Sequence, residues 1–587
     1  MQLADKSCLR LVCDMDAPLK QFFDALNAQE RAFIPLLASD NQGRILRSSV
    51  NELDWYYYNL TRTGNPTDEQ EEQFYLLQMG VTRLIQLSLD ARQSFDAQNV
   101  TFCRTPSVSI PVLEITNGLG MIEHGRRIAQ TISTGLFRIE RTGENEFLIT
   151  LPPVIPDDEY YEKAFSQHYR TQSRRKFAEQ MQLLYGKKLE IEVNDKLDEL
   201  VYPFQTHFIG YDTDPLLDEY FMGVASSEVR LYEGYDTFHY ATRFGGIRYQ
   251  NYILALTFFI SIWRRHERFA EALVRKERSI KLENVLTISS DTEEFVESIR
   301  DSINYFGPLY EDFEEVTLED AQRIFDILSC SRKNTALLSK PASPLPLIIR
   351  CSDKGFFRCL TGAYIAPMQF LLESLRHHFP DDYNQHQQSR EKAMQAAIKR
   401  VLNAGFVGLK YLENIKVKLS GRLLTDIDLI VTEESTGTVL LCQLKHQELY
   451  GSDLHAKYAR TTRLKDHVKT WLASLDDWVN AEGEAGIRAS LRLSKNFPPI
   501  SVHRLVISRH YGYPLKDLAQ NTETAYANWT LFFNTIELVK KEMPDCRKLG
   551  DLVAKLKAEA STVPQKHLAE PRSEWIIRNL KFTVKQE

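Results

Sequence analysis

Polar and apolar residues alternate over Leu424-Thr-Asp-Ile-Asp-Leu-Ile-Val-Thr432, and an apolar run with two polar interruptions follows over Thr438-Val-Leu-Leu-Cys-Gln-Leu-Lys-His446. Between them Glu433-Glu-Ser-Thr-Gly437 is turn material, so the pattern predicts a β-hairpin. Period two places Asp426 and Asp428 on one face and Ile427 and Leu429 on the other; in the second strand Gln443 and Lys445 share a face opposite Cys442 and Leu444. Upstream, Met394, Ala397, Ile398, Val401 and Leu402 recur at helical spacing, predicting a helix over Ser389–Asn403 that Gly405 ends. Glu391 stands three residues before Met394 and extends that apolar face into the first turn. Phe406–Leu419 reads as a strand. Leu464, Val468, Trp471, Leu472 and Leu475 stripe a second helix over Asp453–Trp478, and the stripe traced backwards turns Arg460 and Lys457 towards the sheet. Val502–Ser508 is a fourth strand, and the order is αβββαβ.

The remaining pattern is less regular. Residues 1 to about 100 read as mainly helical, and the Trp55–Tyr58 aromatic cluster as packing ahead of base stacking. Val108–Thr116, Leu136–Glu140 and Glu146–Leu151 read as strands of a small sheet. A helix is predicted over Asp157–Leu184, with Arg170, Arg174, Arg175 and Lys176 on a solvated face. Helices are also predicted over Tyr249–Lys276 and Thr292–Tyr305. Ser339–Pro346 has proline at three of its eight positions and reads as a linker; a strand over Leu347–Arg350 and a helix over Ala366–His378 follow. The expected fold class is a multidomain, mixed α+β protein. Its parts are a helical and small-sheet domain at 1–186, a mixed, mainly helical domain at 187–338, linker and connecting elements at 339–384, and an α/β module at 385–587.

Composition narrows the function classes. At 587 residues, 43% hydrophobic and 26% charged, the chain has the make-up of an ordinary globular protein of several domains. The apolar run Tyr252–Trp263 is too short to span a bilayer and the first residues do not read as a signal segment, so a cytoplasmic protein without a membrane contact is expected. Eight scattered cysteines without a CxxC pair predict reduced thiols. Cys351, Cys359, His377 and His378 match no compact zinc spacing. From Gln388 to Glu587 there are 31 Lys and Arg against 23 Asp and Glu, a surplus of +8, whereas the residues before it hold 41 against 56, or −15. A basic module on an acidic chain points to a polyanionic partner.

The residues of that module carry a resemblance. Asp428 in Thr-Asp-Ile-Asp-Leu-Ile, Gln443-Leu-Lys445 on the next strand and Glu391 in the preceding helix resemble the PD-(D/E)XK nuclease superfamily, in the variant with glutamine at the second acid. The likeness covers roughly residues 385–510. It implies a restriction-endonuclease-like αβββαβ domain and a metal-dependent endonuclease acting on nucleic acid, DNA ahead of RNA. It further implies Mg²⁺, or Mn²⁺ in its place, held by Asp428, the Gln443 amide oxygen, the Leu444 carbonyl and Glu391, with Lys445 orienting water and stabilising phosphate charge. Asp426 is the rival anchor. Lys457, Arg460 and Arg463 are expected on the phosphate backbone. The layout is similar to that of restriction and anti-phage defence nucleases, where the extra domain senses or recruits, and it implies a homo-oligomer or a partner protein through the amino-terminal region. The other open reading is a silent nuclease fold that binds nucleic acid, because glutamine removes one acid.

Overall fold

A computed structural model describes residues 17–586 except 41–42, 64–65, 93–94, 96–103, 136, 153–154, 157–178, 180–187, 206, 230–237, 311, 342, 447–453, 510–523, 545–546, 561–564 and 567–571. The basic run at Arg170–Lys176 therefore lies outside the described residues. The chain is mixed helix and sheet. It begins with α1 (Ala17–Arg31), α2 (Arg44–Arg62), α3 (Asp68–Ala91) and α4 (Pro106–Ser133). Helix α3 starts at a reciprocal cap in which Thr67 accepts from the Gln70 N–H and Gln70 Oε1 accepts from the Thr67 N–H.

Val108–Thr116, expected as a strand, is the first third of α4. Its β-branched residues belong to a longer helical stripe, Val112, Ile115, Leu119 and Ile122, all buried, and burial of that stripe outweighs local β propensity. The stripe meets α3 at backbone distance. A Cβ on Gly80 would lie 1.9 Å from the Thr116 carbonyl oxygen and one on Gly120 2.2 Å from that of Leu76, so only glycine allows this approach. The two expected strands behind α4 are present as β1 (Arg138–Gly143) and β2 (Glu146–Leu151), an antiparallel pair.

Helix α5 (Tyr249–Lys276) has the expected bounds and buries its apolar run. No helix among the described residues is long and apolar enough to cross a membrane. A single hydrophobic core extends from Leu19 to Tyr383, so it runs across the boundaries expected at 186 and 338. The proline segment is not an exposed linker: Ser343, Leu345 and Leu347 are at most 1% exposed. Its prolines do stop regular structure, but the leucines among them fasten it to the core. Trp55 and Tyr58 stack on one another at 6.0 Å, and Tyr57 packs against Phe74 and Tyr364. Cys351 and Cys359 are buried thiols, and the Cys359 sulfur accepts from the Gly362 N–H at 3.3 Å at a helix start.

The basic module is built on β3 (Leu409–Leu419), β4 (Arg422–Glu433), β5 (Thr438–Lys445), β6 (Ser501–Ser508) and β7 (Thr524–Asn528). These form one sheet in chain order, antiparallel across β3-β4-β5 and parallel across β5-β6-β7. Helix α6 (Gln387–Gly405) precedes the sheet, α7 (Leu454–Ser490) joins β5 to β6, and α8 (Trp529–Glu542) and α9 (Leu549–Ala560) follow it. One core holds Leu429, Val431, Leu440, Cys442 and Leu444 with α6, α8 and α9; another holds Ile430, Val439 and Leu441 with Leu464, Val468, Trp471 and Leu475 of α7. The sheet is thus covered on both faces. Beyond the αβββαβ expectation lie β7, α8 and α9, whose buried Trp529, Phe532 and Ile536 complete the first of these cores.

The chain does not end within this module. Strands β8 (Arg572–Ile577) and β9 (Leu580–Gln586) return to the first sheet, in the order β1-β2-β9-β8 with β9 parallel to β2. Ile577, Leu580 and Phe582 enter the amino-terminal core, where Phe582 meets Phe22 at 5.4 Å. Residues 385–587 are therefore not one folding unit, because the apolar face of the last hairpin finds its partners at the other end of the sequence.

Candidate functional site

The alternation read from the sequence breaks at Asp428. Leu429 belongs to the α6 side of the sheet and Ile427 to the α7 side, although period two would put them together. The cause is in the register. Glu413 pairs with Leu429 and Ile415 with Ile427, but the intervening Asn414–Asp428 pair is skipped, and Asn414 takes a left-handed φ of 52°. Asparagine tolerates that conformation better than most residues. On the other edge the β4–β5 ladder stops at Leu429–Cys442. The two strands fork there, and Asp428 stands at the fork.

Its carboxylate takes over from the missing ladder. Asp428 Oδ2 accepts from the Leu444 backbone N–H at 2.7 Å and from Gln443 Nε2 at 2.5 Å. The amide of Gln443 is thereby oriented with its nitrogen on the carboxylate. Gln443 is 3% exposed, and its Oε1 is a buried oxygen without a hydrogen-bond partner among the described residues. Such an orphan costs about 1–3 kcal/mol unless something satisfies it. Burial is the largest influence on Asp428 and pushes its pKa up to about 6; the Leu444 N–H and the Lys445 charge oppose the rise, and Glu391 and Asp426 add to it. Lys445 acts as a neighbouring charge without a direct hydrogen bond to the carboxylate. Asp426 is exposed, and its backbone carbonyl accepts from Trp471 Nε1 at 2.9 Å.

One stripe of α6 grips this irregularity. Gln395, which is 4% exposed, donates from Nε2 to the Asp428 carbonyl oxygen at 2.9 Å and to Asn414 Oδ1 at 3.1 Å. One turn on, Lys399 pairs with Glu413; one turn back is Glu391. Glu391 is exposed, whereas the helical stripe predicts a continuation of the buried face. It lies at the start of the helix, where water reaches a residue that later in the helix would be covered. Sequence reasoning passes over Gln395, since glutamine on a helix looks like an ordinary polar position. Its spacing of four from Glu391 is the one signal the sequence offers. Gln395→Ala is expected to leave a folded protein; were a cation held at the fork, its affinity, measured calorimetrically with Mg²⁺, would fall roughly 10- to 100-fold, the usual cost of losing a residue that orients a ligand.

The structure thus brings Asp428, Gln443 and Leu444 into contact and places Lys445 and Glu391 near enough to act on the Asp428 charge. Arg463 is an exposed residue of α7. Lys457 and Arg460 are on the first turns of α7, and their side chains lie outside the described residues. Among the described residues no group of three or more His, Cys, Asp and Glu side chains is arranged to hold a metal ion. The donors at the fork are of another kind: a carboxylate, an orphaned amide oxygen, a backbone carbonyl and a nearby exposed glutamate. All are hard oxygens, the donor type Mg²⁺ takes, and the orphaned Gln443 Oε1 is the feature that fits a cation. Comparison with models of known families, with curated proteins and with solved structures finds no match for the chain.

Proposed function

We propose that this chain is a Mg²⁺-dependent endonuclease that hydrolyses phosphodiester bonds of DNA at Asp428, Gln443 and Lys445, on a restriction-endonuclease-like module. The observation that carries the reading is the knot at the strand fork. Asp428 is bound to the Gln443 amide nitrogen and the Leu444 N–H, the Gln443 amide oxygen beside it has no hydrogen-bond partner among the described residues, and Lys445 follows on the same strand. The sheet between α6 and α7 supports the same reading, as does the +8 surplus of residues 388–587.

A bound Mg²⁺ would polarise the scissile phosphate and lower the pKa of an attacking water. Asp428, Gln443 Oε1, the Leu444 carbonyl and Glu391 are the groups that would hold it, and Mn²⁺ would serve in its place. The rest falls to the chain itself. Gln443 Nε2 and the Leu444 N–H fix the orientation of the Asp428 carboxylate. Gln395 fixes its backbone. The Lys445 ammonium orients the water whose oxygen bonds to phosphorus as the bond to the leaving sugar oxygen breaks, and it stabilises the charge that builds on the phosphate. Arg463, Lys457 and Arg460 are proposed as phosphate-backbone contacts, which position a substrate without reading its sequence.

The test is the purified chain on supercoiled plasmid, single-stranded DNA and RNA with Mg²⁺ or Mn²⁺. Cleavage of DNA that a chelator abolishes is expected. Binding of DNA with a steep salt dependence but no cleavage under either metal would leave a nuclease-fold nucleic-acid-binding protein instead.

A further inference from the structure

Past Leu429 the strand β4 has no partner in β5, yet its ladder with β3 continues through Ile415–Ile427, Lys416–Asp426, Val417–Thr425, Lys418–Leu423 and Leu419–Arg422. This end of the hairpin is a two-stranded ribbon projecting from the sheet by about 20 Å at the rise of an extended strand. Its tip turns through Ser420 and Gly421, both with positive φ. One face is anchored. Val417 and Ile427 are buried in the core formed with α7, and Ile415 and Leu424 pack against it. The other face is open: Lys416 and Lys418 share it with Leu423, which pairs with Lys418, and Arg422 stands at the turn opposite Leu419, all three cations being exposed. Among the described residues none of these three cations forms an ion pair, and Asp426 is the only acid between Ile415 and Ile427.

We infer that this ribbon is the arm by which the module holds duplex DNA, an inference that rests on the nuclease reading of the adjacent site. The ribbon sets three exposed cations and one acid, Asp426 opposite Lys416, beside the strand fork, so its surplus of positive charge is presented to whatever anion reaches the site. A two-stranded ribbon matches the width of the major groove of B-form DNA, about 12 Å, whereas the deep and narrow major groove of A-form RNA does not admit one. The base of the arm is Asp428 itself, so a duplex lying along the ribbon brings its backbone to the strand fork. The contacts are to phosphate, and they supply affinity and placement without sequence preference.

The experiment measures binding alone, with chelator present so that nothing is cut. Full-length protein is titrated against a fluorescent DNA duplex of about 30 base pairs at several salt concentrations. The triple variant Lys416→Ala, Lys418→Ala, Arg422→Ala is expected to reduce the slope of log affinity against log salt by roughly three, about one for each phosphate no longer neutralised. Lys410→Ala, at the far end of β3 where Lys410 pairs with Glu434, should leave the slope unchanged, and matched melting temperatures establish that the triple variant is folded. An unchanged slope in the triple variant overturns the arm, as does tighter binding of an RNA duplex than of DNA by the wild type. The two readings fail separately. A protein that binds through the ribbon and never cuts keeps the arm and loses the nuclease; one that cuts with unchanged KM in the triple variant keeps the nuclease and loses the arm.

Discussion

Lys445→Ala is expected to slow metal-dependent DNA cleavage by about 10²- to 10³-fold under single-turnover conditions at saturating protein, the range seen when one preorganised stabiliser of transition-state charge is removed. The side chain is not part of either core of the module; Leu444 before it is buried, whereas Lys445 is half-buried. Its main chain is held independently, by the ladder to Ser508 and by its carbonyl, which accepts from the Arg509 N–H at 2.9 Å. The substitution should therefore leave the melting temperature within a few degrees of wild type and duplex affinity in chelator unchanged, separating loss of chemistry from loss of fold or binding. Lys445→Arg should rescue little, because a planar guanidinium cannot take the place of a compact ammonium on a flexible stem. Cleavage by Lys445→Ala within threefold of wild type would remove lysine from the reaction and with it the strongest reason to read Gln443-Leu-Lys445 as a nuclease motif.

Whatever depends on local periodicity is legible in the sequence. The stripe of α7, from Leu464 to Leu475, is buried as its spacing demands, and Cys442 and Leu444 share a face as period two requires. Helix α5 is legible for the same reason. The illegible features are those where the chain departs from its period. The face of Asp428 is set by the skipped pair with Asn414, and the capacity of asparagine for positive φ is a tolerance, not a signal. Gln395 matters because of that irregularity, so it is invisible with it. Strands β8 and β9 escape notice for a different cause. They form a local hairpin, but its place in the fold is set by β9 pairing with β2, more than four hundred residues earlier in the chain, and no local pattern contains a partner at that distance. Val108–Thr116 misleads because a nine-residue window of β-branched residues is shorter than the helical stripe that owns it.

Asp428 should make both stability and metal binding depend on pH, in opposite directions. Its pKa rises from 3.8 in the unfolded chain to about 6 in the folded one, through burial first and the Glu391 and Asp426 charges after it. A raised carboxyl favours the protonated fold: its contribution to stability is fully present below pH 3.8 and is lost as pH rises through about 6. Above that the metal-free protein carries a cost of about 3 kcal/mol from this group. Asp428→Asn, which mimics the neutral carboxyl, should remove the cost, so that chelated protein at pH 7.5 melts higher in the variant and the gap closes towards pH 4. A cation binds the ionised form. Mg²⁺ affinity should accordingly fall about tenfold per pH unit below 6 and level off above it, and Mg²⁺ at pH 7.5 should raise the melting temperature of the wild type and leave that of Asp428→Asn unmoved. Gln443→Glu sharpens the comparison, because a second carboxylate 2.5 Å from Asp428 Oδ2 would share its proton and move the midpoint upward. Equal melting curves for wild type and Asp428→Asn across pH 4–8, with and without Mg²⁺, would mean that Asp428 neither bears the charge nor holds the ion.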